Sequence, residues 1–294
     1  MNPSTVFFGL PAMDPEKTES EKKTMNRRGM RTSMIAIGAA AALVLTGCGG
    51  GGGGSSSGST TRGAITGFGS VWVNGIEFQT GSETHRKLLD TGEDHSGGVQ
   101  DCTVLSVGMV VTVHHGDGDD HATEIEYEDN LQGAVQYLNT TDNTFEVLGQ
   151  KVRFGGTTNI EHGPIGDGFV VEVSGLTASD NVIDATYIDV KLGESDEFEI
   201  KGYVYSVGID NTFRLGPLPG VSTVTVDITG VTLQDIPGGV LAAGQFVEVK
   251  TRSLTTGSFP DAVIHATEVE GKKDIGHSED HDDHDNHDNH ENHS

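Results

Sequence analysis

Gly168-Phe169-Val170-Val171-Glu172-Val173 is the stretch from which the fold can be read. Val171-Glu172-Val173-Ser174-Gly175 alternates apolar and polar residues at period two, the mark of a strand with one face buried. The stretch recurs as Gly108-Met109-Val110-Val111-Thr112-Val113 and as Gly244-Gln245-Phe246-Val247-Glu248-Val249. Working outward, each copy sits in the same frame. Upstream lie Gly63-Ala64-Ile65, Gly133-Ala134-Val135 and Gly202-Tyr203-Val204. Next come Asn74-Gly75-Ile76-Glu77-Phe78, Asn143-Thr144-Phe145-Glu146-Val147 and Asn211-Thr212-Phe213-Arg214-Leu215. Downstream lie Ala122-Thr123-Glu124-Ile125, Ala185-Thr186-Tyr187-Ile188 and Ala266-Thr267-Glu268-Val269. Four landmarks in one order, three times over, define an internal repeat. The units run over 62–129, 130–194 and 195–270.

Within each unit the pattern is β. Val73-Asn74-Gly75-Ile76 places Asn-Gly between apolar strands, a two-residue hairpin signal. Asp142-Asn143 and Asp210-Asn211 supply turn residues at the corresponding landmark. Four to five short strands per unit, without a helix, predict an all-β chain of tandem small β-barrels, of OB-fold or SH3-like kind. Units this small bury a modest core, which favours packing on one another. The sequence leaves that packing open.

GFGSVWVNGIEFQT at 67–80, with the GMVVTV and ATEIEY landmarks, resembles the bacterial family called domain of unknown function 5666. The likeness is most specific in the first unit and extends over about 62–270. It implies tandem β repeats on an exported, often lipid-anchored protein. The family has no assigned activity, so it carries no catalytic residue onto this chain.

Residues 1–47 read as a lipoprotein signal peptide. Arg27, Arg28 and Arg31 precede the uncharged run Met34 to Leu45. That run is shorter than the roughly 20 residues needed to cross a bilayer and suits the apolar region of an export signal. It ends in Leu45-Thr46-Gly47-Cys48, which is similar to the bacterial lipobox. The resemblance implies lipidation of Cys48 after cleavage of the preceding bond, hence a bilayer partner. Gly49 after the cysteine implies sorting to the outer membrane. Acidic residues ahead of the basic cluster place the expected translation start at Met25. Residues 48–61 are the lipidated cysteine and a Gly/Ser tether of roughly 20 Å root-mean-square span. Cys102 is left without a disulfide partner and reads as a small buried hydrophobe.

The chain carries a formal charge of -26. Such acidity repels phosphate backbones and excludes nucleic acid as a partner. An envelope polymer or protein remains open as a partner of the barrels.

The candidate chemistry lies in two histidine clusters. Residues 271–294 form a His/Asp-rich tail, expected to be disordered because no apolar residue follows Ile275. Its His277, His281, His284, His287, His290 and His293 alternate with carboxylates. Imidazole and carboxylate suit Zn, Cu or Ni ions. The other readings are a solvated tail that confers solubility and a charge that responds near pH 6.5. The second cluster is His114, His115 and His121 around Gly116-Asp117-Gly118-Asp119-Asp120. There a hairpin turn brings two or three imidazoles toward carboxylates, or simply exposes an acidic turn. His85, His95, His162 and His265 read as ordinary surface or loop residues. Trp72 and Phe68 read as core, barrel-mouth or aromatic-face residues.

Motifs for hydrolases, zinc proteases, phosphate loops and dinucleotide sites are absent from the sequence. No cofactor is required. The expectation is a non-enzymatic, lipid-anchored envelope protein that binds divalent transition metals. The alternative is a structural spacer whose tail confers solubility.

Overall fold

The computed structural model describes residues 58–89, 93–96, 105–193 and 197–274, with the side chains of 93–96 excepted. The signal, Cys48, Cys102, the side chain of His95 and the six tail histidines lie outside what is described. The described residues are all-β, with one short 3-10 turn at Pro237–Gly239. None of their helices is long and apolar enough to cross a membrane.

The first unit contains β1 (Ser59–Gly67), β2 (Val71–Val73), β3 (Ile76–Phe78), β4 (His85–Leu88), β5 (Glu93–Ser96), β6 (Val110–His115) and β7 (Ala122–Tyr127). The second contains β8 (Leu131–Asn139), β9 (Thr144–Val147), β10 (Gln150–Arg153), β11 (Asn159–Glu161), β12 (Val170–Thr177) and β13 (Ile183–Val190). The third contains β14 (Phe198–Val207), β15 (Thr212–Gly216), β16 (Val224–Asp227), β17 (Leu233–Gln234), β18 (Phe246–Thr251), β19 (Ala262–His265) and β20 (Glu268–Gly271).

In the second unit β8 pairs with β9, β9 with β10, β10 with β13 in parallel, β13 with β12, and β12 back with β8. The sheet therefore closes in the order first, second, third, fifth, fourth, first. This is the Greek-key order of an OB-type barrel. The third unit closes in the same way, with β19 and β20 sharing the fifth position. In the first unit a parallel bridge from Gln79 to His121 joins the third strand to the fifth. Each barrel also carries an accessory strand parallel to its fifth strand: β4 on β7, β11 on β13 and β17 on β20. The expected four to five strands per unit fall short by these accessory segments, which are too short and polar to show a period.

The repeated landmarks occupy equivalent register. Gly63 faces Val111, Gly133 faces Val171 and Gly202 faces Val247. Val113, Val173 and Val249 face Ile125, Ile188 and Val269. These β-branched side chains are buried and form the barrel cores. Full burial of each contributes about 1.5–3 kcal/mol. The glycine opening each fourth strand has positive φ, at 98° for Gly108, 82° for Gly168 and 89° for Gly244. Its N–H donates to the carbonyl of Ile65, Val135 or Val204 at 2.8 Å. The glycine is there because the chain must turn left-handed to deliver that bond.

One landmark is not equivalent. Pairing of Ile65 with Val73, Val135 with Val147 and Val204 with Leu215 makes Val71-Trp72-Val73 the counterpart of Phe145-Glu146-Val147. Asn143 and Asn211 lie in the turn before the second strand. Asn74-Gly75 instead joins the second strand to the third, a two-residue turn with φ 53° and 77°. Its true counterpart is Leu148-Gly149, at φ 50° and 74°. Leu148 hides that turn from the sequence because β-turns with positive φ favour Asn and Gly.

The barrels pack on one another. β14 extends the second barrel's sheet by pairing with β8, so the second and third barrels share one hydrophobic core. The first barrel has its own core, into which Tyr187 of the second barrel inserts. Val110 N–H donates to Ser174 Oγ at 2.9 Å, and Thr186 Oγ1 donates to the Gly108 carbonyl at 2.5 Å.

Candidate functional site

The first barrel presents one polar outer strip across β1, β6 and β7. Directly paired residues on adjacent strands share a face. Thr60 pairs with His114 and His114 with Glu124, while Arg62 pairs with Thr112 and Thr112 with Glu126. Glu124 and Glu126 are two apart on β7, so both carboxylates emerge on this face while Ile125 enters the core.

His114 Nε2 lies 2.7 Å from Glu126 Oε2. One ligand atom from each of His114, Glu124 and Glu126 lies within 4.8 Å of the others. Around a tetrahedral ion at about 2.1 Å, ligand atoms stand about 3.4 Å apart, so modest side-chain rotation closes the set. With His114 neutral, two carboxylates match the charge of a divalent cation. Lys87 Nζ, 2.7 Å from Glu124, supplies part of that charge here. Burial pushes the Glu124 carboxyl up, but Lys87, Glu126 and His114 outweigh it and hold the group below its ordinary value. Glu126 is nearly enclosed, its side chain 8% exposed. The arrangement offers one imidazole, two carboxylates and an open side toward solvent, suited to an adaptable site for Zn, Cu or Ni.

The other clustered histidines go elsewhere. His115 lies against the Phe78 ring at a centroid separation of 5.0 Å, with Nε2 3.2 Å from Thr61 Oγ1 and Nδ1 3.0 Å from the Gly116 carbonyl. His121 sits on the exposed turn between β6 and β7, with Nδ1 2.9 Å from Asp119 and 3.2 Å from Asp120. Asp119 raises the His121 imidazole and is itself held below its usual range by it. Asp119, Asp120 and His121 form a second, fully exposed set. The hairpin thus distributes the three imidazoles over different partners, for neighbours on a strand point to opposite faces.

Glu124 and Glu126 did not figure among the candidate ligands read from the sequence. The signal was present: Glu-Ile-Glu alternates, opposite the strand that ends His114-His115. Among the remaining histidines, His162 Nδ1 lies 2.6 Å from Asp189 and His265 Nδ1 lies 3.1 Å from Asp227. Trp72 and Phe68 are each more than a third exposed, so they lie outside the core.

Residues 132–189 match the family described as Domain of unknown function (DUF5666). The matched segment is the second barrel, from β8 to the end of β13, whereas the sequence likeness rested most on the first. No curated protein matches the chain.

Proposed function

We propose that the protein is a non-enzymatic binding protein of the bacterial cell envelope, anchored by lipid on Cys48 and capturing divalent transition-metal ions. The observation that carries the reading is the convergence of His114, Glu124 and Glu126 on one outer strip of the first barrel. The chemistry of the tail supports it. Six histidines among carboxylates supply many weak, adaptable ligands, and the barrel cluster adds a more ordered one. Outer-membrane placement rests on the lipobox resemblance and Gly49.

Calorimetry with Zn(II), Cu(II) and Ni(II) tests this, using the chain from Gly49. Three proteins are compared: the unaltered chain, one with all six tail histidines changed to asparagine, and one carrying His114→Ala with Glu126→Gln. Saturable binding that falls in both variants supports the reading. Equal, weak uptake by all three proteins refutes it. Export and lipidation are checked by labelling cells with a radioactive fatty acid, where Cys48→Ala abolishes incorporation.

A structural spacer is the second reading. The shared core of the second and third barrels supports it, because a continuous core resists bending between them. Absence of metal binding, with full retention in the envelope, would favour it.

A further inference from the structure

The described residues end at Asp274, where the His/Asp-rich tail begins its course, and that place bears on the metal strip. After β20, the Lys272 N–H donates to the Phe246 carbonyl at 3.0 Å. Two residues on, the Asp274 carboxylate accepts from Tyr203 Oη at 2.6 Å. These bonds pin the root of the tail to β14 and β18 of the third barrel. Arg62 of the first barrel lines the same cleft as Tyr203 and Asp274. Burial pushes the Arg62 guanidinium down, while Glu128, Tyr203 and Asp274 oppose the fall. Asp274 therefore stands within electrostatic reach of β1. Arg62 pairs with Thr112, and Thr112 with Glu126. The root of the tail thus stands at one edge of the strip that carries His114, Glu124 and Glu126.

The distances suit a crossing of that strip. Strands lie about 4.8 Å apart, so β7 is about 10 Å from β1 across β6. An extended chain gains at most about 3.5 Å per residue. From Asp274, His277 can therefore reach roughly 10 Å and His281 roughly 24 Å. The first two tail imidazoles span the strip from its edge.

The chemistry supplies the reason to cross. The strip offers one ligand atom from each of His114, Glu124 and Glu126. A closed zinc site takes a fourth, and a neutral imidazole adds it without adding charge. Residues 275–294 carry six histidines among seven carboxylates. Without an ion, those carboxylates meet Glu124 and Glu126 as like charges. A divalent cation on the strip reverses the sign of that encounter. An imidazole on a short tether then acts at an effective concentration in the millimolar range, which tightens binding. We propose that a divalent transition-metal ion held by His114, Glu124 and Glu126 takes its remaining ligand from His277 or His281, so that the tail closes over the first barrel as a metal-dependent strap. Strip and tail are then one composite site. This inference rests on the metal reading proposed above.

The test is Zn(II) calorimetry on the chain from Gly49, which keeps the three barrels and the tail. The protein is first freed of metal with a chelator and held at about pH 7.5, where unperturbed histidine is neutral. The unaltered chain is compared with His114→Ala and with a variant carrying all six tail histidines as asparagine. The tightest class of Zn(II) binding should weaken at least about tenfold in each variant, since each removes one side of the same site. Glu124→Gln, a half-buried position on the strip, should reproduce the effect of His114→Ala. His277→Asn with His281→Asn should cost more than His290→Asn with His293→Asn, because effective concentration falls as the tether lengthens. Circular dichroism confirms that the variants fold. Independent sites would leave the tightest class at full affinity in one of the two main variants. That result, or an equal or larger loss from the distal histidine pair, overturns the strap while the metal reading stands. Absence of Zn(II) uptake by every protein overturns both.

Discussion

Lys201→Met probes how the barrels are held together. Lys201 belongs to the third barrel and Asp129 to the connection between the first and second. Both side chains are only 2% exposed, and they pair directly. Glu199 lies 3.1 Å from the same ammonium. Burial pushes the Glu248 carboxyl up, yet Lys201, Lys272 and Lys250 together hold it below its ordinary value. Methionine preserves the apolar stem but removes the ammonium that Asp129 and Glu199 share, while Glu248 keeps Lys250 and Lys272. Removing one partner of a buried pair costs about 3–5 kcal/mol. About 4 kcal/mol is expected, roughly a thousandfold in the unfolding equilibrium. Urea denaturation followed by far-UV circular dichroism measures it over all three barrels, while Trp72 fluorescence reports the first. Asp129→Asn added to Lys201→Met should recover a large part of the loss. The pH dependence has a definite sign. Glu248 is depressed in the folded protein, so its stabilisation is present above the unfolded carboxylate value and is lost as pH falls through the folded one. In Lys201→Met the penalty is carboxylate repulsion, so the gap to the unaltered protein should narrow in acid. A loss below about 1 kcal/mol at pH 7, or no recovery in the double variant, would refute the reasoning.

Gly149→Ala should lower stability by roughly 3–5 kcal/mol in thermal denaturation, because φ is 74° and a Cβ there would overlap Ala262 of the third barrel. Tyr127→Phe removes the hydroxyl that donates to Glu172 at 2.6 Å across the first and second barrels, for a loss of about 1.5–3 kcal/mol by urea denaturation. Asp189 raises the His162 imidazole, so Asp189→Asn should lower its NMR titration midpoint. The stabilisation from that pair is full below the unfolded histidine value and disappears as pH rises through the raised one. Chelation of the metal-loaded protein should lower its melting temperature by a few degrees, through loss of the ion bound to the folded cluster, yet leave a cooperative transition, because the barrel cores are apolar.

The sequence by itself determined the main barrel strands and the all-β, small-barrel class. Period-two patterning and turn glycines act within a few residues, so Gly108, Gly168 and Gly244 reveal equivalent turns without any knowledge of the fold. The residue types at one end of the candidate site were equally legible, since His114-His115 stands in a strand opposite Glu-Ile-Glu. Which of the three imidazoles meets which carboxylate was not. That depends on pleat and register: one residue along β6 turns His114 toward Glu126 and His115 toward Phe78. Leu148-Gly149 shows the same limit from the other side, as a buried leucine holds a turn that its residue type disfavours. Only the tertiary structure decided that β14 pairs with β8, that Lys201 meets Asp129 across 72 residues of chain, and that three barrels enclose a common cleft. Those contacts join segments remote in sequence, and no local propensity encodes the surface on which one barrel receives the next.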